Sequence, residues 1–126
     1  MHVSAKTDYG LRALRVLAQR RPDLVTVETL STAEGLPRKF VELILSDLRR
    51  AGLVFSRRGI LGGYGLAVPP ERITVGAVIR ILDGPLDQHE RRSGASTAGA
   101  ATLAKVWTAA TASLANVLDR TTLAHL

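Results

Sequence analysis

Residues 37–68 read PRKFVELILSDLRRAGLVFSRRGILGGYGLAV, and this stretch decides the fold. Its first part carries apolar residues at positions i, i+3, i+4 and i+7, which predicts a helix with one buried stripe. These residues are Val41, Ile44, Leu45 and Leu48. Pro37 suits the first turn of this helix, because its missing N–H has no helical partner at that position. Gly52 is predicted to end it.

A shorter helix precedes this one. Thr26 is a suitable N-cap, and Gly35 closes the helix because glycine accepts the left-handed conformation past a helix end. The short turn at residues 34–37 then joins two helices, which is the pattern of a helix-turn-helix. An ordinary helical hairpin in a core is the alternative.

The outward face of the helix that follows Pro37 indicates nucleic-acid binding. Residues 38–58 hold six basic and two acidic side chains. Basic groups at a helix start can meet phosphates, and a helix fits the major groove of DNA. The sequence therefore predicts DNA contact through Arg38, Lys39 and Glu42 near the helix start. A solvated charged face is the alternative.

Two arginines, Arg57 and Arg58, lead into a glycine-rich turn between strands predicted at residues 53–56 and 64–67. A glycine loop that binds a nucleotide passes from a strand into a helix, whereas this loop passes into a second strand. A hairpin directly after a recognition helix is a wing, and its arginines can reach phosphates or a narrow minor groove. A solvated turn with two arginines is the alternative.

Two further helices flank this unit. Ser4 is predicted to cap one that ends near Arg20, and Thr74 to cap one that is closed by Gly84. Residues 87–99 are polar and small, which predicts a loop or hinge.

A last helix is predicted from about residue 100 to residue 119. Its apolar residues step by four and three, close to a heptad seam. They are Leu103, Trp107, Ala110, Leu114 and Val117. At ~30 Å for ~20 residues, the helix is longer than is needed to cover the front domain, which is the unit formed by residues 1–85. This length predicts packing against a second copy. Folding back onto its own domain is the alternative.

The whole pattern predicts a mainly α fold with a small β wing. We expect a winged helix-turn-helix domain at residues 1–85, a hinge at residues 86–99, and a dimerisation helix and tail at residues 100–126.

Charge and composition narrow the function. The formal net charge is +6, and the excess lies in residues 1–80, which hold 13 basic and seven acidic side chains. This asymmetry favours an anionic polymer as partner. The chain has no cysteine, which excludes disulfides and zinc–cysteine sites. No apolar run has the length of a signal peptide core or of a membrane span, so we expect a cytoplasmic protein without a membrane partner.

Catalytic residues do not stand out. The three histidines, His2, His89 and His125, lie far apart in the sequence. No spacing typical of a Ser-His-Asp arrangement or of paired carboxylates accompanies them, so the sequence does not predict an enzyme.

The order of these parts resembles the small bacterial winged-helix regulators that include IscR, NsrR and CymR. The resemblance covers nearly the whole chain. It lies in TDYGLRAL at residues 7–14, FVELILSDLRRAGLV at 40–54, SRRGILGGYGLAVPP at 56–70, ITVGAVIRILDGPL at 73–86 and VWTAATASLANVLDRTTLAHL at 106–126. It implies a homodimer that binds a palindromic operator in double-stranded DNA, with the third helix in the major groove and the wing at the minor groove.

The resemblance also assigns residues. The family's Y-L-E-Q motif places its aromatic residue at Phe40 and its glutamate at Glu42, which can accept a hydrogen bond from a cytosine amino group. The family's wing arginine before glycine falls on Arg58. The predicted DNA contacts are Arg38, Lys39, Phe40, Glu42, Arg57, Arg58 and Gly59.

One departure from the family concerns the cofactor. Many relatives carry three cysteines between the fourth helix and the long helix, where they ligate an iron–sulfur cluster, but this chain has DQHERRSGASTAGA at residues 87–100. Thiolates are the normal anchors of such clusters, so we expect no cluster and no cofactor. A metal held by Asp8, His89 and Glu90 is an alternative to a solvated loop.

The sequence thus predicts a DNA-binding transcriptional regulator, a homodimeric repressor. The alternative is a cysteine-free adaptor that is controlled by a protein partner docking on the fourth helix or the tail. A small-molecule effector near Trp107 is a further hypothesis, but the sequence favours a place for that residue in the core or the dimer seam.

Overall fold

The computed structural model describes residues 2–87 and 97–126. Within these ranges the chain forms five α-helices and a two-stranded antiparallel hairpin. The elements are α1 (Ala5–Arg20), α2 (Val27–Glu34), α3 (Arg38–Arg50), β1 (Val54–Arg57), β2 (Gly63–Leu66), α4 (Val75–Asp83) and α5 (Ala98–Arg120). Short 3₁₀ turns lie at Pro70–Arg72 and Leu123–His125. The predicted fold class is confirmed.

Local capping signals set the helix starts. The hydroxyls of Ser4, Thr26 and Thr74 each accept a hydrogen bond from a backbone N–H three residues later, at 3.1, 3.1 and 3.0 Å. These bonds satisfy donors that a helix start leaves without a partner. All three predicted caps are therefore confirmed. Pro37 occupies the cap position of α3 and makes no side-chain capping bond.

The apolar stripe of α3 forms the centre of the core. Val41, Ile44, Leu45 and Leu48 are all buried, as the spacing predicts. They pack with Leu14 and Leu17 of α1 in one cluster. Because this stripe faces inward, the charged side of α3 is turned outward, which is the geometry that a recognition helix requires.

The hairpin is confirmed, and its ladder lies one residue nearer to the turn on both strands than the predicted ranges do. Its strands pair from Val54 with Leu66 to Arg57 with Gly63. The ladder ends at the pair of Arg57 and Gly63, and Gly63 has a φ of 139°, a backbone conformation that glycine accepts readily. Arg57 therefore lies in β1 and not in the turn.

The C-terminal tail returns to the front domain, which the sequence did not predict. The N–H of Leu123 donates to the carbonyl of Ile73 at 3.0 Å, and the Leu123 side chain is buried in the core. Thr122 forms a β-bridge with Thr74. These contacts hold the C-terminal end of α5 against the start of α4.

Helix α5 begins at Ala98, two residues before its predicted start, because the Thr97 hydroxyl caps it by accepting from the N–H of Ala100 at 3.1 Å. None of its residues is buried. Most of the predicted hinge, residues 88–96, lies outside the described residues. The predicted domain boundaries stay a prediction.

Candidate nucleic-acid interface

The start of α3 presents charged side chains to solvent. Arg38, Lys39 and Glu42 are all exposed. Arg38 Nε lies 3.5 Å from Glu42 Oε1, one helical turn away. An exposed ion pair of this kind contributes at most about 1 kcal/mol to stability. Arg38 and Glu42 can therefore each leave this pair and bind a partner on another molecule.

Phe40 has a different environment. Its ring is half-buried and meets the Tyr9 ring edge-on, with 5.4 Å between the centroids. This contact fixes the start of α3 against α1. The predicted DNA contact of Phe40 stays a prediction, and the structure gives the residue a positioning contact inside the chain.

Arg12 braces the turn between α2 and α3, a function that sequence reasoning missed. Its guanidinium donates to the Glu34 carbonyl at 2.7 Å and to the Glu34 carboxylate at 3.1 Å. It also lies 5.7 Å from the centroid of the Tyr9 ring. The hydrogen bond to Glu34 raises the pKa of Arg12 above its ordinary value. The helix-turn-helix is thus held at a fixed angle to α1.

The wing arginines lie on the surface. Arg57, Arg58 and Gly59 are exposed, and the Arg57 guanidinium lies 6.0 Å from the centroid of the Phe55 ring. Within residues 2–87 and 97–126, neither arginine pairs with a carboxylate. Their charges are therefore available to an anionic ligand, and the predicted DNA contacts of both arginines stay a prediction.

A hydrogen bond ties the wing to α3, and ion pairs within the chain offset the negative charge of Asp47 on the same helix. Arg49 donates to the Ser56 hydroxyl at 3.1 Å, which ties the end of α3 to β1. Asp47 faces Lys6 at 2.6 Å and also accepts from Arg50. The hydrogen bond from Lys6, with that from Arg50, lowers the pKa of Asp47. The carboxylate is thus neutralised by internal partners.

The tip of the wing carries two aliphatic residues that the sequence analysis did not select. Ile60 is fully exposed, and Leu61 is 88% exposed. The signal was present, because hairpin turns normally use glycine, proline and small polar residues. Two large aliphatic side chains between Gly59 and Gly62 depart from that rule.

The predicted dimer residues lie along α5. Leu103, Trp107, Ala110 and Val117 are exposed, and Leu114 is half-buried. A cavity of about 300 Å³ opens between the end of α4 and α5. It is lined by Arg80, Pro85, Leu86, Asp87, Thr111 and Ala115. The predicted dimer seam stays a prediction.

The residues present do not fit an iron–sulfur cluster, because no thiolate is available in the chain. Asp8 lies 3.4 Å from Arg12, while His89 and Glu90 fall outside the described residues. In the two described ranges, no three His, Asp or Glu side chains are grouped so that they could hold a metal ion. The same ranges contain no helix of the length and apolar character that a membrane crossing needs.

Comparison with known proteins agrees with this geometry. A Mycobacterium tuberculosis (strain ATCC 25618 / H37Rv) protein, provisionally named an HTH-type transcriptional regulator, is 40% identical over 134 residues, covering 100% of this chain and 81% of its own. The HTH-type transcriptional regulator CymR of Bacillus subtilis (strain 168) is 35% identical over 127 residues, covering 100% of this chain and 89% of its own. Both names describe transcriptional regulators and neither describes an enzyme, which agrees with the prediction from the sequence.

Solved structures give the same result. The structure of CymR, the global cysteine regulator of B. subtilis, superposes with a TM-score of 0.82 at 30% identity, covering 99% of this chain and 95% of that one. The T. potens IscR structure gives a TM-score of 0.83 at 35% identity, with 99% and 85% covered. The Rrf2 family model, described as an iron-dependent transcriptional regulator, matches residues 3–126. The resemblance seen in the sequence is thus confirmed, and the chain belongs to the Rrf2 family of DNA-binding, winged-helix transcriptional regulators.

Proposed function

We propose that the chain is a homodimeric repressor that binds a palindromic operator without an iron–sulfur cluster. Helix α3 enters the major groove, and the wing lies at the adjacent minor groove. The observation that carries this proposal is the exposed basic side of α3, tied to the wing by the Arg49–Ser56 hydrogen bond. One face of the protein thereby carries both a groove-reading helix and charges for the flanking phosphates.

The roles within this face follow from its chemistry. Glu42 accepts from a cytosine amino group once its surface ion pair with Arg38 opens, because carboxylates have this pairing in the major groove. Lys39, Arg57 and Arg58 neutralise phosphates, which supplies affinity but carries no sequence information. Arg38, released from Glu42, binds a phosphate or a guanine edge. Gly59 brings the wing backbone close to the duplex, and Phe40 fixes α3 against Tyr9.

The length of α5 and its exposed apolar side chains support the proposed homodimer. The 23 residues of this helix extend over ~35 Å at 1.5 Å per residue, and aliphatic side chains such as Leu103 and Val117 remain exposed along it. Contiguous exposed apolar surface of this kind marks a protein interface. A second copy related by a two-fold axis covers this surface and presents two α3 helices to two half-sites.

Control of the repressor cannot rest on cluster chemistry, because the chain lacks cysteine. We place its signal at the junction of α4 and α5, where the cavity of about 300 Å³ lies. Thr111 in its lining is one helical turn after Trp107, the position that the sequence suggested for a small effector. The protein acts on chromosomal DNA and is therefore proposed to work in the cytoplasm.

The test is selection from genomic DNA. Sheared DNA from the source organism is passed over the purified protein at ~0.15 M salt, and the retained fragments are sequenced. Enrichment of a palindrome is expected, and uniform retention would contradict a sequence-reading dimer. In vitro transcription from an enriched promoter then tests repression. The amount of transcript is expected to fall as protein is added, and an increase would show an activator.

A further inference from the structure

The wing ends in an apolar tip that has no partner within the described part of the chain. Ile60 and Leu61 are the two most exposed large apolar side chains there, ahead of Val117 at 61%. Exposing two aliphatic side chains side by side is unfavourable in water. The arrangement therefore suggests a function that requires them outside the core.

The tip is held firmly in place. The Gly62 N–H donates to the Gly59 carbonyl at 3.0 Å, which closes the turn. Gly62 has no room for a side chain, because a Cβ there would collide with the Arg57 carbonyl oxygen. A tight turn of this kind presents Ile60 and Leu61 in a defined direction.

The base of the hairpin is anchored as well. Tyr64 of β2 exchanges two backbone hydrogen bonds with Val25, at 2.7 and 2.9 Å. A Cβ on Gly63 would lie 2.8 Å from the Val25 carbonyl oxygen, so the hairpin packs closely against the segment before α2. The hairpin is therefore fixed at its base, so that its tip can act on a bound molecule without the wing moving away.

Charge complementarity identifies the occupant. Arg57 and Arg58 precede the tip, separated from it by Gly59, and neither arginine pairs with a carboxylate in the described ranges. The partner must offer negative charge beside an apolar slot. The minor groove of duplex DNA does so, because phosphates line its edges and the apolar faces of the bases become accessible where a base step opens. Isoleucine and leucine are among the side chains that act as wedges between base steps.

We propose that Ile60 and Leu61 enter the minor groove of the operator as a wedge, unstack one base step in each half-site and bend the duplex. This inference rests on the proposed function and adds a mechanical role for the wing. It makes deformability of the sequence under the wing a determinant of specificity, since flexible pyrimidine–purine steps open most easily.

The experiment uses the full-length protein and the palindromic fragment enriched from genomic DNA. The fragment carries 2-aminopurine, which fluoresces when it is unstacked, at successive adenine positions of one half-site. A donor and an acceptor dye at the two ends report bending. Wild-type protein is expected to raise the fluorescence at one step of the labelled half-site, under its wing, and to shorten the distance between the ends.

The double variant Ile60→Ser/Leu61→Ser is expected to lose both signals. Its affinity for the fragment should fall about tenfold, because the apolar contact is lost. The salt dependence of binding should be unchanged, because no charge is removed. Both side chains are exposed, so thermal unfolding should match the wild type.

Two controls separate the wedge from other effects. Ile60→Met/Leu61→Met keeps an apolar tip and should retain unstacking and bending. Val3→Ser removes an exposed apolar residue that precedes α1 and should change neither signal.

The outcomes are decisive. Equal unstacking and bending by the Ser variant, or wild-type binding without any fluorescence change, would overturn the wedge and leave operator binding intact. The latter result would point to a protein as the partner of the tip. If no fragment is enriched, the proposed function fails, and 2-aminopurine in a mixed-sequence duplex then decides the wedge, since no fluorescence rise there overturns it.

Discussion

Replacing Arg58 by alanine is expected to flatten the salt dependence of operator binding. Arg58 is exposed on the wing and has no carboxylate partner in the described ranges, so a phosphate contact would be its main interaction. Each neutralised phosphate contributes about 0.9 to the slope of log affinity against log salt. A dimer that loses two such contacts should have a slope shallower by about 1.8.

This change in slope has a measurable size. Between ~0.05 and ~0.2 M salt, a fourfold range, the wild-type affinity should fall about twelvefold more than the affinity of the variant. The assay is fluorescence anisotropy with the enriched fragment over a series of salt concentrations. Arg58→Lys keeps the charge and should keep most of the slope.

Arg120→Ala is the matched control, because Arg120 is an exposed arginine at the end of α5, far along the chain from the wing. It should leave the slope unchanged. A slope for Arg58→Ala equal to those of the wild type and the control would refute phosphate contact by the wing. A reduction of the slope by only about 0.9 would mean that only one of the two wings in each bound dimer makes the contact.

Three further predictions follow from the same structure. Glu42→Ala should change the sequence enriched from genomic DNA more than non-specific affinity, and selection of an identical site would refute base reading by Glu42. Leu103→Asp should give monomers in sedimentation, because a charge would be buried in the α5 seam; a persistent dimer would refute that seam. Arg80→Ala removes the bonds to Asp119 at 2.7 and 3.0 Å, which should lower the free energy of unfolding by less than about 1 kcal/mol at neutral pH, since both groups are partly exposed. The Arg80 hydrogen bond lowers the pKa of Asp119. The difference in the free energy of unfolding between wild type and variant should therefore be fully present above the ordinary aspartate pKa of ~3.9 and vanish as the pH falls through the lowered value. A difference that persists in acid would show that it has another cause.

The helical part of the fold could be predicted because its signals are local. The capping hydroxyls of Ser4, Thr26 and Thr74 lie within three residues of the donors they satisfy. The spacing of apolar residues in α3 indicates which side is buried. The same periodicity leaves Arg38 and Glu42 on the outer side, so the candidate site on this helix was visible from the sequence.

The sequence predicted that a wing is present, but it did not predict which residues pair at the end of its ladder. The sequence indicated a hairpin with two arginines, whereas its register depends on which backbone groups pair across the turn. That pairing puts Arg57 in the strand opposite Gly63. The contact between Phe40 and Tyr9 joins residues 31 positions apart, and no local pattern specifies it.

The sequence by itself determined the starts of the helices capped by Ser4, Thr26 and Thr74, the basic outer side of α3, the presence of a wing and the lack of thiolate ligands. Each of these depends on residues close together or on composition. Only the tertiary structure decided that the tail buries Leu123 against Ile73, that Arg12 braces the helix-turn-helix, and that Ile60 and Leu61 stay outside every core contact. These features depend on packing between distant segments. Burial is a property of the assembled chain, since an aliphatic residue in a turn becomes exposed or covered only when the other elements take their places.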